Sequence, residues 1–217
     1  MPRESQAEKR KRAARIAKAF ARAYPDATIA LRFANPFELL VATILSAQCT
    51  DKKVNEVTAI LFRRFATPRA LAAADSAAVE SIVHPTGFYR QKTKSIQSVA
   101  RDLVERFGGR VPNRLEELVT LRGVARKTAN VVLGSGFGIP GIAVDTHMLR
   151  VNRRLGLTRS DDPEQVERDL MALLPDREWI DWTLRVIHHG RVCCVARGPH
   201  CEACPLAPEC PREGVKP

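Results

Sequence analysis

Two groups of residues in this 217-residue chain have the types and spacing to do chemistry. The first is a lysine and an aspartate set about a glycine turn: Leu121-Arg122-Gly123-Val124-Ala125-Arg126-Lys127, then Gly138-Ile139-Pro140-Gly141, then Ala143-Val144-Asp145-Thr146. Gly123 supplies a tight turn that other residues resist, and a helix starting near Ala125 points its free N–H groups outward beside it, as an anion site such as a phosphate requires. Lys127 falls in the first turn of that helix. The dipole there and the neighbouring Arg126 both push its amine towards the neutral, nucleophilic form. Asp145 has the opposite setting, as the N-cap of a helix Thr146–Leu155 that keeps a carboxylate ionised. The helix after Lys127 runs for about 11 residues, roughly 16 Å. Residues 138–144 can span about 23 Å extended, so the sequence allows Asp145 to return beside Lys127. The second group is Cys194, Cys201, Cys204 and Cys210, spaced C-x6-C-x2-C-x5-C. Four thiolates this close can wrap one centre, and the spacing alone admits tetrahedral zinc or an iron–sulfur cluster. Cys193 lies outside that spacing and reads as a spare thiol, and Cys49 as a packed one.

The elements that must carry these residues are helical throughout. Asn35-Pro36-Phe37-Glu38 is a cap, a first-turn proline and an acid three after the cap; the helix behind it is apolar nearly all round and belongs at the centre of a core. It ends at Ser46-Ala47-Gln48-Cys49-Thr50-Asp51. Further helices are predicted at 51–65, 68–74 and 76–83, with Thr67 and Asp75 as caps. After a loop at Gly87-Phe88-Tyr89 comes a long helix, 89–107, stopped by Gly108-Gly109. Asn113 and Glu116 read as a capping box for the short helix before the hairpin. Helices at 146–155, 163–173 and 176–189 follow, the second capped by Asp162. No stretch alternates as a strand would, no repeat is visible, and the fold class is all-α.

Composition sets the partners. The chain is 45% hydrophobic, enough for a substantial core, and carries a net charge of +11 with a pI near 9.9. That balance points to a polyanion, nucleic acid first. Residues 1–22 hold eight Lys or Arg against two Glu, on a helix expected from about Ser5 to Ala23. No run of about 18 apolar residues is present, so no membrane helix is expected, and the first residues lack a secretory signal. Six cysteines in such a chain argue for metal before disulfides.

Together these strings resemble the helix-hairpin-helix DNA base-excision glycosylases, and the endonuclease III family most, because that branch has a lysine where Lys127 stands. The similarity runs from about Phe33 to Cys210. It implies a six-helix barrel domain, 29–139, containing the hairpin, and a discontinuous cluster domain, 1–28 with 140–217, with a DNA groove between them. It implies a [4Fe–4S] cluster on Cys194, Cys201, Cys204 and Cys210. It implies a bifunctional glycosylase and abasic-site lyase acting on oxidised pyrimidines, with Lys127 as the Schiff-base nucleophile and Asp145 assisting. Double-stranded DNA with damaged bases or abasic sites is then the partner, met by a monomer in a bacterial cytoplasm at the nucleoid. Gln48 matches the glutamine that enters the DNA, and Phe88 stands where the family's Gly-Leu-Tyr motif places a wedge; the plainer reading of Phe88 is a core residue. Arg122, Gly123, Val124, Ala125 and Arg126 are implied contacts of the hairpin, and Arg197 of the cysteine loop. The common hairpin is Leu-Pro-Gly-Val-Gly, so Arg122 and Ala125 are departures. Alternatives within the superfamily are a pyrimidine-dimer glycosylase and an adenine-mismatch glycosylase; the latter generally lacks this lysine. Outside it stands a non-catalytic DNA-binding module.

Overall fold

The computed structural model describes residues 4–215. Among them there is no strand, as the lack of alternation predicts, and no helix is long and apolar enough to cross a membrane. The chain divides into two compact units, Ile29–Ile139 and the pair of segments Met1–Thr28 and Pro140–Pro217.

The central unit is built from α2 (Pro36–Leu45), α3 (Asp51–Arg64), α4 (Pro68–Ala72), α5 (Ser76–Val83), α6 (Tyr89–Phe107), α7 (Leu115–Leu118) and α8 (Arg126–Val131). Helix α2 starts as its sequence dictates. The Asn35 side chain accepts from Glu38 N at 3.0 Å, and Pro36 fills a position where no amide is needed. Its residues from Phe37 to Leu45, apart from Glu38, are buried, which is why no polar face appears in the sequence. Around it pack Val54 and Leu61 of α3, Val79 of α5, Ile96 and Leu103 of α6, and Leu118, Leu121 and Val124 from the hairpin.

The outer unit joins α1 (Gln6–Ala23) to α9 (Thr146–Arg154), α10 (Pro163–Leu173) and α11 (Trp179–Val192). Helix α1 opens with a complete capping box, Ser5 and Glu8 each holding the other's amide. It buries Ala13, Ile16, Ala17 and Phe20. Phe20 meets Trp182 edge-on, with ring centroids 5.4 Å apart. The fully buried Asn152 joins the layers: its amide donates to Met148 O at 2.8 Å, and its carbonyl accepts from Trp182 Nε1 at 3.2 Å. Arg12 of α1 ties the same unit at its rim, donating to Leu155 O at 2.6 Å and pairing with Glu4.

Several local expectations are corrected. The short helix before the hairpin is a single turn whose cap is Arg114, with no side-chain bond, so Asn113 and Glu116 form no capping box. Four residues are too few to define a helix start by pattern. The third helix of the last group begins at Trp179, after a 3₁₀ turn Asp176–Glu178, and continues to Val192. The helix after Lys127 is not uniform: α8 passes into a π-helical turn, Val132–Gly136. Gly136 ends that turn close against α2, where a Cβ would lie 3.3 Å from Leu39 Cδ2.

Candidate active site and cysteine centre

In the central unit the hairpin is held from beneath. Leu121 and Val124 are buried, and Val124 N donates to Leu121 O at 3.1 Å. Between them Gly123 takes φ 78°, and a Cβ added there would meet Ser95 Oγ of α6 at 3.2 Å. The glycine is therefore required twice, by its backbone angle and by the closeness of α6. Ala125 caps α8 with extended backbone and no side-chain bond, so nothing on the protein covers that end from the cap's side chain. Arg122, Arg126 and Lys127 are exposed around it. Val124 offers a ligand neither its side chain, which is in the core, nor its amide, which the Leu121 carbonyl holds.

Two further sequence-predicted residues sit in this unit with a shared peculiarity. Among the described residues three non-glycines have positive φ, and two of them are Gln48 (53°) and Phe88 (47°). A bulky aromatic in that region is an outlier that the surroundings must impose, at a cost on the order of 1–3 kcal/mol. Both side chains are exposed. Phe88 is 69% exposed, which rules out the core reading.

In the outer unit Asp145 is the N-cap of α9, its side chain accepting from Met148 N at 2.8 Å. One turn and two turns on, α9 carries two residues that sequence reading missed. Arg150 donates through Nε to Cys194 O at 3.1 Å and through Nη2 to Gly190 O at 2.8 Å. Arg154 donates to Val195 O at 2.7 Å and Ala196 O at 3.0 Å, and lies 3.4 Å from Cys194 Sγ. The helix that Asp145 caps is thus fastened to the start of the cysteine loop. The available signal was the i, i+4 spacing of two arginines on one face. Gly190 lets the elements approach, since a Cβ there would fall 2.8 Å from His147 Nδ1.

All six cysteines are free thiols, and Cys193, Cys194, Cys201, Cys204 and Cys210 line one recess. Burial pushes the Cys193 thiol up to about 12, and raises Cys210 as well. A cation is what draws protons from such thiols. His189 borders the recess, 3.7 Å from Cys204 Sγ, with Tyr24 Oη 2.8 Å from its other ring nitrogen. Burial lowers its pKa to about 4, which leaves the ring neutral. Among the described residues one trio of donors closes to within 4.8 Å, and it is His189, Cys193 and Cys204. Cys194, Cys201, Cys204 and Cys210 are spread more widely round the recess. Tetrahedral zinc needs sulfurs about 3.8 Å apart, from a Zn–S bond of roughly 2.3 Å. The recess carries cysteine donors that could hold a metal centre. Arg197 is exposed in the loop between the first two of these cysteines.

Residues 41–176 match the model of the HhH-GPD superfamily of base excision DNA repair proteins. Endonuclease III of Synechocystis sp. is 52% identical over 206 residues, covering 94% of each chain. The chain belongs to the endonuclease III family. Endonuclease III of Escherichia coli is 41% identical over 186 residues, 86% of this chain and 88% of that one. Two solved structures, a non-covalent endonuclease III–DNA complex and a trapped endonuclease III–DNA covalent intermediate, each align with a TM-score of 0.89 at 43% identity over 94% of this chain. Membership of the endonuclease III family carries the expectation of an iron–sulfur cluster, and the cysteine-lined recess is where this chain has the donors for one.

Proposed function

We propose that this protein is a base-excision DNA glycosylase and abasic-site lyase acting on oxidised pyrimidines in duplex DNA, with Lys127 as its nucleophile. The observation that carries the reading is an exposed lysine in the first turn behind a glycine hairpin, in a chain similar over nearly its whole length to a protein trapped covalently on DNA. The target nucleotide leaves the stack, because C1′ is out of reach inside a duplex. Main-chain amides of Gly123 and Ala125 hold a backbone phosphate, and Arg122 and Arg126 add charge. Lys127 Nζ then bonds to C1′ as the C1′–base bond breaks and the base leaves. Asp145 takes the proton from the attacking amine and stabilises the positive charge on the sugar. The sugar opens to an imine on Lys127; loss of a C2′ proton expels the 3′ phosphate and cuts the strand.

Cys194, Cys201, Cys204 and Cys210 would hold a [4Fe–4S] cluster. Bound there, it ties the Arg197 loop into a fixed shape for DNA contact and supplies no hydrolytic position, because all four ligand places are taken. The C-x6-C-x2-C-x5-C spacing together with endonuclease III family membership favours it over zinc.

The test is borohydride trapping on abasic duplex beside metal analysis. Wild type is expected to trap and to contain about four irons per chain. Lys127→Ala should trap nothing with its helicity unchanged, and Asp145→Asn should bind DNA but lose about 100-fold or more in turnover, as general-base losses do. Trapping by Lys127→Ala at the wild-type level removes Lys127 as the nucleophile. One zinc and no iron removes the cluster.

A further inference from the structure

The left-handed backbone at Phe88 needs a cause, and the residues on either side of it supply one. Gly87 before it also has positive φ, at 70°. Thr86, 2% exposed, is fixed by its hydroxyl, which donates to Val83 O at 2.8 Å. After Phe88 the chain enters α6, where Lys92 N donates to Phe88 O at 3.0 Å. The same residue's side chain turns back, and Lys92 Nζ donates to Thr86 O at 2.7 Å. Lys92 therefore holds the carbonyls on both sides of Gly87, one with its main chain and one with its side chain.

Burial and the helix dipole both disfavour a lysine there. It is 5% exposed, so its charge is taken out of water. It lies in the first turn and a half of α6, at the positive end of the helix dipole. Burial pulls its pKa below the ordinary lysine value, with the Cys49 side chain acting in the opposite sense. Cys49 follows Gln48, which is likewise exposed and has left-handed backbone. A methionine would pack at this depth with none of these costs. What it lacks is the donor that reaches Thr86 O.

We propose that Lys92 is the positioning residue for the Phe88 wedge: its buried ammonium clamps the Thr86–Phe88 turn in the left-handed form that keeps the phenyl ring exposed for insertion into the DNA stack. The wedge is preorganised, so DNA binding does not spend affinity on ordering it. This rests on the DNA-glycosylase reading of Phe88.

The experiment compares wild type, Lys92→Met, Lys92→Arg, Phe88→Ala and the Lys92→Met/Phe88→Ala double variant. The probes are a duplex with a tetrahydrofuran abasic analogue, which cannot be turned over, and the same duplex undamaged. A 2-aminopurine beside the analogue reports unstacking by fluorescence. Borohydride trapping on single-stranded abasic DNA, where no stack must be opened, reports the chemistry alone. Lys92→Met should weaken analogue binding about tenfold and lose the fluorescence rise, the scale expected from losing one preorganised contact. Its binding to undamaged duplex and its single-strand trapping should stay at wild type, and Lys92→Arg, which keeps a charged donor, should recover part of the signal. The double variant should be no worse than Phe88→Ala, because the lysine acts only through the ring. Additive losses in the double variant, or an unchanged fluorescence rise in Lys92→Met, overturn the proposal. If Phe88→Ala itself loses nothing on the analogue, the wedge reading falls and takes this one with it; if only Lys92→Met is silent, the lysine alone falls. Should Lys92→Met melt well below wild type, Lys92→Arg and the single-strand trapping ratio carry the same comparison.

Discussion

At the scale of single residues, charged groups in this chain are used as fasteners. Arg12 reaches three main-chain carbonyls and the Glu4 carboxylate at once. The Arg12 bond is the first cause holding the Glu4 pKa below the ordinary 4.5. A carboxylate whose pKa is depressed on folding contributes stability above its unfolded pKa, and that stability is lost as pH falls through the folded value. Glu4→Gln should therefore lower the urea midpoint slightly at pH 7. The gap from wild type should close as the pH is taken below the ordinary carboxylate range. The pair is partly exposed, so the effect is small and salt weakens it. A midpoint difference that persists unchanged in acid would mean that Glu4 acts through packing and not through charge.

At the scale of elements, the hairpin separates two demands that its sequence runs together. Gly123 is needed by backbone angle and by Ser95, whereas Ala125 has φ −81° and ψ 167°, which any residue adopts. Gly123→Ala should cost about 1–2 kcal/mol in denaturant unfolding, the price of left-handed backbone for a residue with a Cβ. Ala125→Gly should leave the midpoint nearly unchanged and speed single-turnover nicking of an abasic duplex, because removing the methyl lets a phosphate approach the amides. If Ala125→Gly is no faster, the methyl does not hold the phosphate off. What was legible here follows from range. Caps at Asn35, Thr67, Asp75, Asp145 and Asp162 are local bonds between residues three apart, and all are present. The close approach of Gly136 to Leu39 of α2, beside the π-helical turn, is a contact the sequence cannot display. The same holds for the left-handed backbone of Gln48 and Phe88, which no residue pattern signals, and for Arg150 and Arg154, whose acceptors are carbonyls about 40 residues away.

At the scale of the whole molecule, a net charge of +11 makes the first encounter with DNA electrostatic. Each phosphate neutralised releases counterions, so the logarithm of the binding constant for undamaged duplex should fall linearly with the logarithm of salt, with a slope of about −0.9 per contact. Residues proposed to touch phosphate and residues proposed to enter the stack should then separate in one measurement. Arg197→Ala removes an exposed charge from the cysteine loop. It should weaken binding to damaged and undamaged duplex alike and reduce the slope by about 1. Phe88→Ala carries no charge change, so its slope should equal that of wild type while its binding to a tetrahydrofuran duplex drops. The measurement is fluorescence anisotropy from about 50 to 200 mM salt, a range over which such contacts change affinity by orders of magnitude. An Arg197→Ala slope identical to wild type would place that arginine off the DNA. The +11 would then have to act through other surfaces, with the basic face of α1 the next to be neutralised.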